Sequence, residues 1–168
     1  MKTYFRRFAR YNQWANARLY AAVSALDAEA FQAPRSGFFP SICRTLNHLY
    51  VGDRLWLARF EGCEIPHRRL DEMPHPLFQH LWTARQVEDA RIRRVMDDAP
   101  ESWFGGILHY ASVSKGEAIS MPVEAVLAHF FNHQTHHRAQ VHAMLSSTEV
   151  APPDLDFAAF MVEAEGAD

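Results

Sequence analysis

Two histidines stand four residues apart in the segment HFFNHQTHHRAQ, at His133 and His137. Residues at i and i+4 of an α-helix project from the same face, so these two imidazoles can converge on one metal ion. A third ligand is still needed, and His48, within the helical pattern RTLNHLYVGDRLW, is the best candidate. Three neutral imidazoles leave coordination positions for water or substrate, which is typical of a catalytic rather than a closed structural metal site.

The type of ligand restricts the type of metal. An all-nitrogen set suits late first-row divalent ions such as Ni²⁺ or Zn²⁺. Burying several imidazoles on one face costs desolvation free energy, and a shared divalent cation offsets that cost. Ligating imidazoles must be neutral, so the ordinary His pKa of about 6.5 predicts that metal affinity falls below that pH. The sequence therefore predicts a divalent metal cofactor on His48, His133 and His137.

Neighbouring residues argue against other metal sites. The spacing of His133 and His137 matches that of zincin proteases, but Gln134 stands where those enzymes need a glutamate as general base. Ferritin-like di-iron proteins need Glu-x-x-His pairs on their helices, and the predicted helices have none. An iron site with two histidines and one carboxylate fits less well, because Gly52 follows His48 by one turn.

The composition is typical of one globular domain. The chain has 168 residues, of which 48% are hydrophobic, so we expect a single domain over residues 1–168. Its net charge of -3 argues against nucleic-acid binding, which needs a positively charged surface. Cys43 and Cys63 form no C-x-x-C pair, which favours a cytoplasmic location. The charged N-terminal segment does not resemble a signal peptide, and no apolar stretch is long enough to predict a membrane span.

Long helices are expected to position the histidines. Apolar residues that recur every three or four positions predict four of them, over residues 3–26, 41–60, 76–98 and 120–147. Ser41 is a suitable N-cap for the second helix. Alternating residues predict a short β-hairpin from residue 107, with its turn at Lys115 and Gly116, and a small terminal helix is expected over 155–162. The predicted fold class is all-α, and four long helices favour a four-helix bundle.

Three segments together resemble the DinB/YfiT-like family of metalloenzymes, namely ARYNQWAN at 9–16, SICRTLNHLYVGDRLW at 41–56 and HFFNHQTHHRAQ at 129–140. The resemblance covers essentially the whole chain. It implies a four-helix bundle of up-down-down-up topology, usually a homodimer, in which His48, His133 and His137 hold a divalent ion. One departure is Ala139, where the family pattern usually has glycine. The additional methyl group puts the shape of the pocket in question.

The resemblance also implies a function. Some relatives conjugate or isomerise substrates with low-molecular-weight thiols such as bacillithiol, mycothiol or glutathione. The chain is therefore expected to be a metal-dependent thiol S-transferase that acts on a small-molecule substrate. Two alternatives stay open, which are a metal-dependent hydrolase, in which the ion activates water, and a non-catalytic, stress-induced metal-binding dimer.

Four polar residues close to the histidines in sequence are candidates to orient a ligand or contact the substrate, namely Asn47, Asn132, Arg138 and Gln140. For Arg138, an ion pair or an interhelical hydrogen bond is the stronger expectation.

Overall fold

The structure is a computed structural model that describes residues 1–113 and 116–166. Its helices are, in chain order, α1 (Lys2–Val23), α2 (Ala28–Gln32), α3 (Ile42–Glu61), α4 (Phe78–Asp98), α5 (Val123–Leu145) and α6 (Phe157–Ala164). A 3₁₀-helix at Glu101–Gly105 and the strands β1 (Ile107–Ala111) and β2 (Ala118–Pro122) connect α4 to α5. The predominantly helical fold expected from the sequence is confirmed. In the part of the chain described, no helix is both long and apolar enough to cross a bilayer.

The ends of α3, which carries His48, follow from local sequence. Ser41 is the N-cap, as predicted, because its Oγ accepts a hydrogen bond from the backbone N–H of Arg44 at 3.1 Å. Gly62 ends the helix with a φ of 66°, a left-handed conformation that glycine adopts without a Cβ clash. The N–H of Cys63 then bonds to the carbonyl of Ala58 at 2.8 Å, which satisfies one of the last helical acceptors.

The start of α5 differs from the prediction. We expected this helix from residue 120, but residues 118–122 form β2, which pairs antiparallel with β1. Pro122 is the N-cap of α5 instead of a residue in its first turn. Both strands of the predicted hairpin are confirmed, and Lys115 of the predicted turn lies outside the described residues.

The four long helices share their apolar faces. Helix α1 packs against α4 and α5, and α3 packs against the same two helices. One buried cluster surrounds Leu46 and Leu49 of α3 and includes Leu145 of α5. A second cluster lies towards the hairpin, where Phe104 and Phe130 are fully buried. The histidine-bearing helices α3 and α5 contact each other and contribute residues to both apolar clusters.

A group of buried charged side chains crosses this apolar core. Arg85 of α4 is only 2% exposed and forms ion pairs with Asp53 of α3 and with Asp89 of α4. Asp89 also accepts a hydrogen bond from Asn16 of α1 at 2.9 Å. Since buried charges are costly without partners, these contacts fix how α1, α3 and α4 lie against one another.

Helix α5 joins the same group through two polar side chains. Arg138 donates to Asn12 of α1, and Gln134 donates to the carboxylate of Asp53. Arg138 and Gln134 are both buried, at 2% and 0% exposure. The resulting network, which we call the buried polar network, links all four long helices.

Candidate metal centre

The structure brings together the three histidines that the sequence selected. His48 lies in the middle of α3, and His133 and His137 lie one turn apart on the facing side of α5. The Nε2 atoms of His48 and His133 are 3.1 Å apart, and the ring centroids of His48 and His137 are 4.5 Å apart. One ring nitrogen from each residue lies within 4.8 Å of the others, so the group could hold a metal ion.

In two of these rings, the nitrogen Nδ1 already makes a hydrogen bond. Nδ1 of His48 lies 2.9 Å from the backbone carbonyl of Leu70, and Nδ1 of His137 lies 2.7 Å from Oε1 of Gln140. Both partners are oxygens that only accept, so each Nδ1 carries the proton and donates it. In the neutral ring, Nε2 then has a free lone pair for a metal. These two rings are held in the tautomer that a metal site requires.

Burial keeps the imidazoles neutral. Burial first, and the neighbouring imidazoles second, lower the pKa of His133 to about 3. Burial likewise lowers the pKa of His137 to about 4, although its bond to Gln140 acts in the opposite direction. The pKa of His48 is also lowered, chiefly by burial. Protons therefore compete with a metal ion only at a pH below about 6.5, the value that the ordinary His pKa predicted.

Two residues shape the immediate surroundings of the rings. Phe39 stacks on His48 with ring centroids 4.2 Å apart and also approaches His137 at 5.8 Å. Gly52 has no side chain and leaves space one turn after His48 on α3. A Cβ at that position would lie 3.4 Å from Cε1 of His133, so the edge of the His133 ring borders that space.

The histidines open into a cleft of about 780 Å³. Its floor is formed by α3 and α5, and its walls come from the β1–β2 hairpin and from the loops at residues 33–41 and 62–77. A cavity of this size suits a small organic molecule. The site is therefore accessible, and it is not enclosed like a purely structural metal site.

The loop at residues 62–77 is braced by an acidic side chain. Glu72 accepts hydrogen bonds from the backbone N–H groups of Arg68 and Arg69 at 2.8 and 2.9 Å, and its other oxygen lies 2.9 Å from Nδ1 of His67. The bond from His67 and those from the two backbone groups lower the pKa of Glu72 to about 2, so it is ionised at neutral pH. These bonds fix the turn that presents the carbonyl of Leu70 to Nδ1 of His48.

The remaining histidines of α5 lie outside the cluster of His48, His133 and His137. His129 lines the cleft, and its ring is 5.9 Å from that of His133. His136 is exposed and lies 3.1 Å from Nε2 of Gln140. Nε2 of His142 lies 3.1 Å from the carbonyl of Pro153, away from the three histidines.

The four polar candidates from the sequence have different positions. Gln140 contacts His137, whereas Arg138 points into the buried polar network, which is the interhelical bond expected for it. Asn47 holds the 62–77 loop on α3 through two bonds to the backbone of His75, at 2.9 and 3.0 Å. Asn132 is exposed.

Sequence reasoning missed the residues that support the site from outside its helices. A carbonyl such as that of Leu70 has no signature in a sequence, because every residue has one. Phe39 gave a weak signal as one of two adjacent aromatic residues in a loop. Neither could be assigned to the site before the loops were placed against α3.

Comparison with known proteins agrees with the resemblance in the sequence. A sequence model of the DinB family matches residues 1–167. Protein DinB of Bacillus subtilis (strain 168) is 27% identical to the chain over an alignment of 174 positions, which covers 94% of each protein.

Proposed function

Because the chain belongs to the DinB family, we propose that it is a metal-dependent thiol S-transferase that holds a divalent ion on His48, His133 and His137. The observation that carries this proposal is the placement of three ring nitrogens, all within 4.8 Å of one another, at the floor of a cleft of about 780 Å³. Ni²⁺ and Zn²⁺ are the ions that suit an all-imidazole set best.

Neighbouring groups orient the histidine rings for a metal ion. When bound, a divalent ion would supply Lewis acidity that favours the thiolate form of a thiol. The Leu70 carbonyl and the Gln140 amide hold the rings of His48 and His137 by their Nδ1 atoms. Phe39 covers one face of His48 and excludes water from it.

The thiol is expected to come from a small molecule. Burial raises the pKa of the Cys43 thiol to about 11, so Cys43 is protonated and unreactive at neutral pH. Cys63 is exposed in the 62–77 loop. Among the described residues that line the cleft there is no cysteine, which supports a low-molecular-weight thiol as cosubstrate.

We also propose the up-down-down-up bundle topology that the resemblance implies. Support comes from the order of contacts, since Asp53 pairs with Arg85 and Glu61 with Arg91, as in two parallel helices, α3 and α4. Contacts of α1 with α4, and of α3 with α5, run in opposite order, as in antiparallel helices. The resemblance further implies a homodimer in the cytoplasm, and light scattering on the purified protein tests its mass.

Elemental analysis tests the metal site. We expect about one divalent ion per chain in the wild type and its loss in His133→Ala and in His137→Ala. His142→Ala is the matched control, because His142 lies on the same helix and bonds to Pro153 away from the cluster. Unchanged metal content in both ligand variants would refute the proposed site.

A reaction assay tests the proposed chemistry. Consumption of an aryl halide electrophile should require both the metal and an added thiol. Turnover of ester substrates that needs the metal but no thiol would indicate the hydrolase instead. If His48→Ala lowers the melting temperature while no tested reaction depends on metal, the role of the ion is structural.

A further inference from the structure

Arg59 lies further along the face of α3 that carries His48 and Trp56, and all three residues line the cleft. Its guanidinium carbon is 4.4 Å from the centroid of the Trp56 ring and 4.3 Å from that of Tyr110 on β1. Nη2 of Arg59 donates to the carbonyl of Ala111 at 2.9 Å. The guanidinium is thus held between two aromatic rings and a backbone carbonyl, which fixes its plane before any ligand arrives.

Among the described residues, none supplies a counter-ion for this positive charge. Within residues 1–113 and 116–166, no carboxylate lies within 4 Å of Arg59, its Nε is buried without a partner, and its Nη1 makes no hydrogen bond. Burial lowers the pKa of Arg59, which reflects the cost of holding a cation partly out of water. A bound anion would offset that cost with a charge-assisted hydrogen bond.

The other charged groups of the cleft do not supply that anion. Asp71, the carboxylate that lines the cleft, is paired with Arg69 through two bonds of 2.8 and 2.6 Å. Arg68 adds a further positive charge at the exposed rim. The cleft therefore carries an excess of positive charge even before a divalent ion is counted, which favours an anionic ligand.

The position of Arg59 sets the size of that ligand. The helical rise places its backbone about 16 Å along α3 from that of His48, and since both side chains lean towards the helix N-terminus, the guanidinium and the imidazole lie roughly 10–16 Å apart. The floor and wall between the two ends are apolar and include Leu55, Trp56 and Ile119. A ligand that spans this distance needs an anionic end and an apolar middle.

We propose that Arg59 binds the carboxylate of a small-molecule substrate whose reacting group lies at the three histidines. This inference rests on the function proposed above and adds the substrate class, a carboxylic acid with an apolar spacer between its carboxylate and the reacting group. Arg59 is a binding residue, and it fixes the orientation of the substrate in the cleft.

The test compares an acid with its neutral ester. Isothermal titration calorimetry measures binding of 6-mercaptohexanoate and of its methyl ester to the Zn²⁺-loaded protein. We expect the wild type to prefer the acid by about tenfold or more, as charge-assisted bonds do. Arg59→Met should bind both compounds with the affinity that the wild type has for the ester. Arg59→Lys keeps the charge without the planar fork and should show a reduced preference.

Arg68→Met is the matched control, because it removes the same charge from the rim of the same cleft. It should retain the preference for the acid. Equal or undetectable binding of acid and ester by the wild type would overturn the inference, and so would a preference that persists in Arg59→Met. If hexanoate binds as well as 6-mercaptohexanoate, thiol recognition fails, while an Arg59-dependent preference for acids over esters would still support the anion site.

Discussion

Replacing Gln140 by methionine should weaken metal binding without unfolding the protein. Oε1 of Gln140 accepts the Nδ1 proton of His137 at 2.7 Å, and this bond selects the tautomer that leaves Nε2 free. Methionine has a similar volume and helix propensity, so the substitution removes mainly the hydrogen bond. Partners that orient a ligating histidine typically contribute about 10- to 100-fold in affinity, which is about 1.4–2.7 kcal/mol.

Competition titration against a chelator measures this change in the dissociation constant for Zn²⁺ or Ni²⁺. Gln140→Glu should tighten binding relative to the wild type, because a carboxylate is a stronger acceptor for the His137 proton. Gln86→Met is the matched control, since Gln86 is exposed on α4. Dissociation constants for Gln140→Met and Gln86→Met that agree within twofold would refute the role of Gln140 as an orienting partner.

Two further predictions concern stability. Arg85→Met leaves two buried carboxylates without their cation, so urea denaturation should show a loss of about 3–5 kcal/mol, against less than about 0.5 kcal/mol for exposed Arg94→Met. A loss below about 1 kcal/mol would contradict the buried polar network as described. Because His133 and His137 have pKa values of about 3 and 4 in the folded protein, the unfolded chain binds more protons from about pH 6.5 downwards. The free energy of unfolding of the metal-free protein should therefore decrease as the pH is lowered from about 6.5 towards about 3. His133→Leu should show a shallower dependence on pH.

The long helices could be predicted because their signal is local. Apolar residues at helical spacing mark each buried face, and Ser41 marks the start of α3. The start of α5 was wrong because Pro122 is compatible with both a first turn and an N-cap, and the pairing of β2 with β1 decides between them. The five-residue helix α2, whose N-cap Asp27 bonds to the N–H of Ala30 at 2.7 Å, is too short for periodicity to reveal.

The candidate site likewise has one part that local sequence predicts and another part that depends on tertiary contacts. Spacing on one helix brought His133 and His137 together, and a helical context selected His48. The inward turn of Arg138 depends on Asn12 of α1, a partner 126 positions away, so its role was left between two interpretations. The contribution of Arg59 to the cleft depends on Tyr110, which only the folding of the hairpin brings next to α3.

The bond between His48 and the carbonyl of Leu70 has a consequence for how this loop can vary. A main-chain acceptor is supplied by whichever amino acid occupies position 70, so replacing the leucine side chain does not delete it. Inserting or removing one residue between His67 and Glu72 would instead carry the carbonyl away from the imidazole. Around His48, then, the spacing of the peptide chain is under tighter restraint than the identity of its residues.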